Sequence, residues 1–175
     1  MTVLLNSYEA RQLLKGELER ILNIILKLMN EIESDDLIEA LEGIVTNFSD
    51  CIGPYTVGLI QGLADAYYKY KGAGSTKDDN AGVVDELIGT EGCRAAEACL
   101  DTINNILRLN IDDQVYQKVG PCILALFNSA IIDCYDVSFT KCISLLNMLL
   151  YKSKRLDDSL VFYFPLLCYL ITGKP

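Results

Sequence analysis

Five carboxylates are spaced so that they would form a negatively charged surface on two predicted helices. Asp36, Glu39 and Glu42 recur at i, i+3 and i+6, which places them on one helical face. Glu97 and Asp101, four residues apart, would share a face of a second helix. Such a surface would attract lysine- and arginine-rich segments and raise their encounter rate. The alternative is an ordinary solvated face, which is what most charge runs are.

Chemistry beyond charge attraction has little support in the sequence. Histidine is absent, which removes the commonest general base, the His-based nucleophile pairs and the His-containing zinc sites. The residues show no nucleophile–base pair, no phosphate-binding glycine loop and no metal-ligand constellation. We therefore predict that the protein is not an enzyme and has no catalytic residues, no cofactor and no metal site.

Cysteine usage and net charge indicate an intracellular protein with protein partners. The seven cysteines include no C-x-x-C pair, and their odd number inside apolar runs predicts reduced, buried thiols. The 24 acidic and 15 basic residues give a net charge of −9, which argues against binding to DNA or to an anionic membrane. The longest apolar-rich segment, residues 160–171, is shorter than the roughly 20 residues that span a bilayer.

The elements that must position these groups are helices. From Leu14 to Ile32 the apolar residues are separated by gaps of three and four, and the same rhythm recurs in later segments. Four residues are suited to accept hydrogen bonds at helix starts: Ser7, Ser34, Asp112 and Asp157. We predict three A/B helix pairs and a final A helix, at about 8–29 with 35–49, 50–71 with 92–109, 113–131 with 135–153, and 157–172. Residues 72–92 are polar and rich in glycine, and are predicted to be a flexible inserted loop.

Breaks in the apolar pattern indicate a repeat. Gly53-Pro54, Gly120-Pro121 and Phe164-Pro165 each precede an apolar run, and Gly16-Glu17 stands at the equivalent place in the first helix. Their spacing, once the inserted loop is subtracted, approaches the ~40–47 residues of HEAT-type helix pairs. A proline inside a helix kinks it, so a kink is predicted in every second helix. The predicted fold is all-α: an α-α superhelix, or HEAT-repeat solenoid, of about three and a half repeats in which residues 1–175 form a single array. Because neither end has a polar capping repeat, the chain is predicted to be a fragment of a longer array.

Three segments carry a resemblance to a known family: Leu26 to Ile32, Asp35 to Glu42 and Ile52 to Tyr55. They resemble a central stretch of the importin-beta (karyopherin) family, in the branch of importin-seven and importin-eight. Lys118 to Asn128 and Val161 to Leu170 are similar to the same continuation. The resemblance implies a nuclear transport receptor that carries cargo through nuclear pores, releases it on binding Ran-GTP, and shuttles between cytoplasm and nucleus. Such receptors are several times longer, and their principal Ran-binding region has no counterpart here.

The resemblance also implies partners for the chain. B helices of such solenoids line the concave face, so the five carboxylates would face basic protein cargo. Tyr67, Tyr68 and Tyr70 could border an outer groove for the Phe-Gly repeats of pore proteins, or could pack between repeats. The alternative function is a HEAT scaffold of a different assembly, such as a phosphatase-type platform. A pull-down separates the two, because only a transport receptor would recover basic cargo and pore repeats.

Overall fold

The computed structural model describes residues 8–32, 34–74, 91–109, 111–132 and 137–153. Within these ranges every regular element is helical, which confirms the predicted all-α class. The helices are α1 Tyr8–Gly16, α2 Leu18–Glu31, α3 Asp35–Asn47, a 3-10 turn at Gly53–Tyr55, α4 Thr56–Gly74, α5 Glu91–Arg108, α6 Asp113–Ile132 and α7 Val137–Ser153. The predicted helix at 157–172 lies outside the described residues. Of the predicted loop, residues 72–74 end α4, residues 91–92 begin α5, and 75–90 lie outside the described residues.

The helices stack in two layers that follow chain order. In the A layer, α2 contacts α4 and α4 contacts α6. In the B layer, α3 contacts α5 and α5 contacts α7. Each A helix also contacts the B helix that follows it, in the pairs α2–α3, α4–α5 and α6–α7. Because the main contacts join neighbouring pairs, the arrangement is the HEAT-type solenoid that the sequence predicts.

The core lies between the two layers and is continuous from α2 to α7. Each helix turns an apolar stripe inward, as its spacing of three and four residues requires. Burying each large apolar side chain is worth roughly 1.5–3 kcal/mol, so the two layers together supply the main driving force for folding. The core includes Leu22, Met29, Leu41, Leu63, Leu100, Ile103, Ile123, Leu126 and Leu145.

The structure divides the predicted first A helix into α1 and α2. The break is at Glu17, whose φ of −105° and ψ of 5° are not helical. Gly16 precedes it, and glycine is a poor helix former. The Glu17 N–H donates to the Leu14 carbonyl at 3.1 Å, a tight i to i−3 contact that closes α1. The end of α1 is tied to the connection after α3, because Lys15 Nζ lies 2.7 Å from Asp50 Oδ2.

The two described prolines of the repeat occupy different positions. Pro54 lies in the 3-10 turn that begins α4, where the missing N–H has no helical partner to lose, so the predicted kink does not apply there. Pro121 lies inside α6, where it does remove one helical hydrogen bond. Pro165 lies outside the described residues.

α2 and α4 approach each other closely at one glycine. A Cβ at Gly62 would lie 2.8 Å from Cδ2 of Leu26, so a larger residue would have to displace that side chain. The close approach brings the later part of α4 against the end of α2. None of the helices in the described ranges has the length and apolarity needed to cross a membrane.

Candidate interaction surface on the B layer

The first predicted acidic group lies on α3 at the surface of the B layer. Asp36 and Glu39 are exposed and Glu42 is half-buried. α3 begins at Asp35, so Asp35 and Asp36 lie in its first turn, where the helix dipole favours negative charge. Ser34 occupies the predicted cap position, although its side chain makes no cap hydrogen bond. The helix start therefore gathers carboxylates for a local reason, and of the two in its first turn Asp36 faces solvent while Asp35 is half-buried.

Glu42 connects α3 to the next B helix. Asn105 Nδ2 of α5 donates to Glu42 Oε1 at 2.7 Å. The hydrogen bond fixes the carboxylate at the seam between the two helices without neutralising its charge. Glu42 thus belongs both to the packing of the B layer and to its negative surface.

The second predicted acidic group has a basic neighbour that the sequence analysis missed. Lys141 Nζ of α7 lies 2.5 Å from Asp101 Oδ2 and 3.4 Å from Glu97 Oε2 of α5. Burial lowers the pKa of Lys141, but the hydrogen bond and charge of Asp101, with a smaller effect of Glu97, outweigh it and raise the pKa above its usual value. The lysine therefore stays charged and compensates part of the negative charge of this pair.

A small cavity lies beside this ion pair, between α5 and α7. Its volume is about 140 Å³. Asn104 Nδ2 donates to Ser144 Oγ at 3.4 Å across the seam, while Asn104 Oδ1 is buried and has no hydrogen-bond partner among the described residues. The seam between the last two B helices is therefore polar. The cavity is lined by Leu100, Asp101, Asn104, Thr140, Lys141 and Ser144.

The tyrosines of α4 divide between core and surface. Tyr67 and Tyr70 are fully buried, whereas Tyr68 is 40% exposed. Tyr70 Oη lies 2.8 Å from the Met29 carbonyl and 3.2 Å from the Ile32 carbonyl, so its hydroxyl satisfies the end of α2. Tyr67 and Tyr70 therefore follow the alternative of packing between repeats, and Tyr68 is the member of the cluster that reaches solvent.

The described cysteines lie in the core or pack against it. Cys99 and Cys142 are buried, Cys51 and Cys122 are half-buried, and none of the four forms a disulfide. Burial, with the nearby charge of Asp35, raises the pKa of Cys99 to about 12, so its thiol stays protonated and weakly nucleophilic. Within the described ranges no three His, Cys, Asp or Glu residues are grouped to hold a metal ion. The predictions for Cys93, Cys134 and Cys168 fall outside the described side chains.

Comparison with known proteins shows which proteins the chain resembles. The chain is 34% identical over 108 residues to the importin beta-like SAD2 homolog of Arabidopsis thaliana, a stretch that covers 61% of the chain and 10% of that protein. It is 27% identical over 121 residues to the probable importin-7 homolog of Dictyostelium discoideum, covering 66% of the chain and 10% of that protein. The match thus spans about a tenth of the length of each relative. No protein-family model matches the chain, and no solved structure matches it. The two relatives confirm the resemblance predicted from the sequence: over the matched stretch the chain is similar to importin-beta-like proteins.

Proposed function

We propose that this chain is part of a nuclear transport receptor that binds protein cargo and carries it between cytoplasm and nucleus. Two relatives with importin names and a stack of A/B helix pairs support the proposal. Such a stack acts by binding and not by catalysis, because it presents long surfaces and small rotations between its repeats sum to a change of curvature. Since the match spans about a tenth of each relative, the activity of the whole receptor is part of the proposal.

The contact with basic cargo is proposed for the α3 part of the B layer. The observation that carries this assignment is the exposure of Asp36 and Glu39 beside the half-buried Glu42. α3 contains four carboxylates and no basic residue, so nothing on the helix itself compensates them. Glu97 and Asp101 contribute less, because Lys141 lies against both.

Two further partners complete the proposal. Ran-GTP would bind mainly to parts of the receptor beyond this chain and would release cargo by changing the curvature of the array. Phe-Gly repeats of pore proteins would bind the A layer, where Tyr68 offers an exposed aromatic edge. Neither partner requires a residue of the B layer, so cargo binding can be tested separately.

The test is binding of a fluorescent lysine-rich peptide to the chain. Asp36→Asn with Glu39→Gln should weaken binding about threefold to tenfold, because two exposed charge contacts are lost. The matched control is Glu19→Gln with Asp65→Asn, which removes the same charge from exposed positions of the A layer. Equal weakening by both variants would show that net charge and not the α3 surface attracts the peptide. If the full receptor failed to import a basic cargo in permeabilised cells, the transport role itself would be refuted.

A further inference from the structure

Charge is distributed unevenly along the B layer. α3 carries four carboxylates and no basic residue, whereas α7 carries Lys141 and Lys152 and no acidic residue. α5, which lies between them, carries both signs. The layer therefore changes from negative to positive along the array, and Lys141 lies at the point where the two signs meet.

The charged group of Lys141 occupies the place where a cation from another molecule would bind Glu97 and Asp101. Its Nζ lies 2.5 Å from Asp101 and 3.4 Å from Glu97, two carboxylates that belong to the neighbouring helix. Its side chain is 23% exposed, while that of Asp101 is 54% exposed, so the acidic pair can be reached from solvent and the lysine is the more covered partner. At this seam, a lysine or arginine of another protein would have to bind the same two carboxylates that Lys141 already contacts.

We infer that Lys141 determines where the B layer attracts basic proteins, because it fills the position on Glu97 and Asp101 that a lysine or arginine of a partner would otherwise occupy. The attraction is thereby concentrated on α3. In its choice of partner, a basic segment of a protein, this inference rests on the proposed function. It adds a residue that limits the cargo surface and is itself no part of that surface.

The experiment compares lysine-rich peptide binding by the unaltered chain and three variants at low ionic strength. Lys141→Met should tighten binding about threefold to fivefold, because it uncovers two carboxylates. Lys118→Met is the matched control, since it removes the same charge from an exposed position of α6 in the A layer, and should change binding less than twofold. Adding Glu97→Gln and Asp101→Asn to Lys141→Met should abolish the gain. An equal effect of Lys141→Met and Lys118→Met, or a gain that survives the triple substitution, would overturn the inference.

A second comparison keeps Lys141 in place and serves if Lys141→Met fails to fold by circular dichroism. With Lys141 present, Glu97→Gln plus Asp101→Asn should weaken peptide binding at least twofold less than Asp36→Asn plus Glu39→Gln. Equal or greater weakening would show that the α5 pair already binds the peptide, which contradicts the inference. Failure of the proposed function would look different. The unaltered chain would then not bind the peptide, while Lys141→Met would still bind it more tightly than the unaltered chain.

Discussion

The A layer and the B layer are built from helices of similar length but are joined in different ways. Between α2 and α4 the contacts include a close approach at Gly62, a buried tyrosine hydroxyl from Tyr70 and a lysine, Lys69, at the Asn30 carbonyl. Between the B helices the contacts include hydrogen bonds and ion pairs near the surface, such as Glu42 to Asn105 and Asp101 to Lys141. The comparison teaches that one layer mainly fixes the geometry of the stack, while the other also sets the charge that a partner meets.

This difference predicts which substitutions alter stability and which alter charge. Apolar contacts are not screened by salt, whereas exposed ion pairs weaken as ionic strength rises, since the Debye length is about 10 Å at 0.1 M. Substitutions in the core of the A layer should therefore destabilise the chain at any salt concentration. Substitutions in the polar seam of the B layer should have small effects that depend on salt.

The largest effect is expected where an A-layer helix packs into the shared core. Leu63 of α4 is completely buried, so Leu63→Ala should lower the free energy of unfolding by about 2–5 kcal/mol through lost burial and a remaining cavity. Urea denaturation followed by circular dichroism measures it, with the exposed Gln61→Ala as control. A loss at Leu63 no larger than that at Gln61 would contradict the packing described for this layer.

The next effect concerns the hydroxyl that closes α2. Tyr70→Phe keeps the buried ring but leaves the Met29 and Ile32 carbonyls without their donor, so a loss of about 1–3 kcal/mol is expected in the same assay. Tyr151→Phe is the matched control, because that ring is 76% exposed. If both variants unfold at the same urea concentration as the unaltered chain, the hydroxyl does not stabilise the end of α2.

Thiol reactivity should distinguish the layers by an order of magnitude. At about pH 8 iodoacetamide should label the half-buried Cys122 of the A layer roughly tenfold faster than the buried Cys99 of the B layer. Burial and Asp65 raise the pKa of Cys122 as well, but that of Cys99 is raised to about 12 and its access is poorer. Peptide mass spectrometry gives both rates in one sample. Faster labelling of Cys99 would mean that the B layer opens in solution.

The smallest effect on stability is expected in the B-layer seam. Lys141→Met should lower the free energy of unfolding by less than about 1 kcal/mol, because the ion pair is partly solvated. The loss should shrink further at high salt, and Lys118→Met reports the effect of net charge alone. A loss above about 2 kcal/mol that persists in salt would show that this seam, like the A layer, holds the stack together.

Helix periods were readable from the sequence because the stacked layers require inward apolar residues at spacings of three and four. Asp112 also does what its type predicts, since its Oδ1 accepts from the Gln114 N–H at 3.0 Å at the start of α6. The predicted first A helix runs unbroken over 8–29, although Gly16-Glu17 aligns with the Gly-Pro breaks of the later A helices. Local propensity at Gly16 weakens a helix but does not decide whether the chain turns.

The acidic residues of the surface were predicted, but their compensation was not. Asp101 and Lys141 are 40 residues apart, and Asn104 and Ser144 are also 40 apart. This shared offset is the register between α5 and α7, close to the repeat length that the prolines suggested. Applying that offset to every charged residue would have paired Asp101 with Lys141. Which neighbours touch depends on stacking between repeats, which helical periodicity within one repeat does not determine.

The capping contacts bear on the order in which the chain folds. The end of α2 receives Lys69 Nζ at the Asn30 carbonyl as well as the Tyr70 hydroxyl, and the end of α5 receives the Tyr116 hydroxyl at the Leu109 carbonyl. In both cases the donor belongs to a later helix. Since a ribosome delivers the chain from its amino terminus, the last turn of α2 stays open until residues 69 and 70 have been synthesised. Cut out alone, the α2–α3 pair would lack the groups that finish α2, and the α4–α5 pair the group that finishes α5.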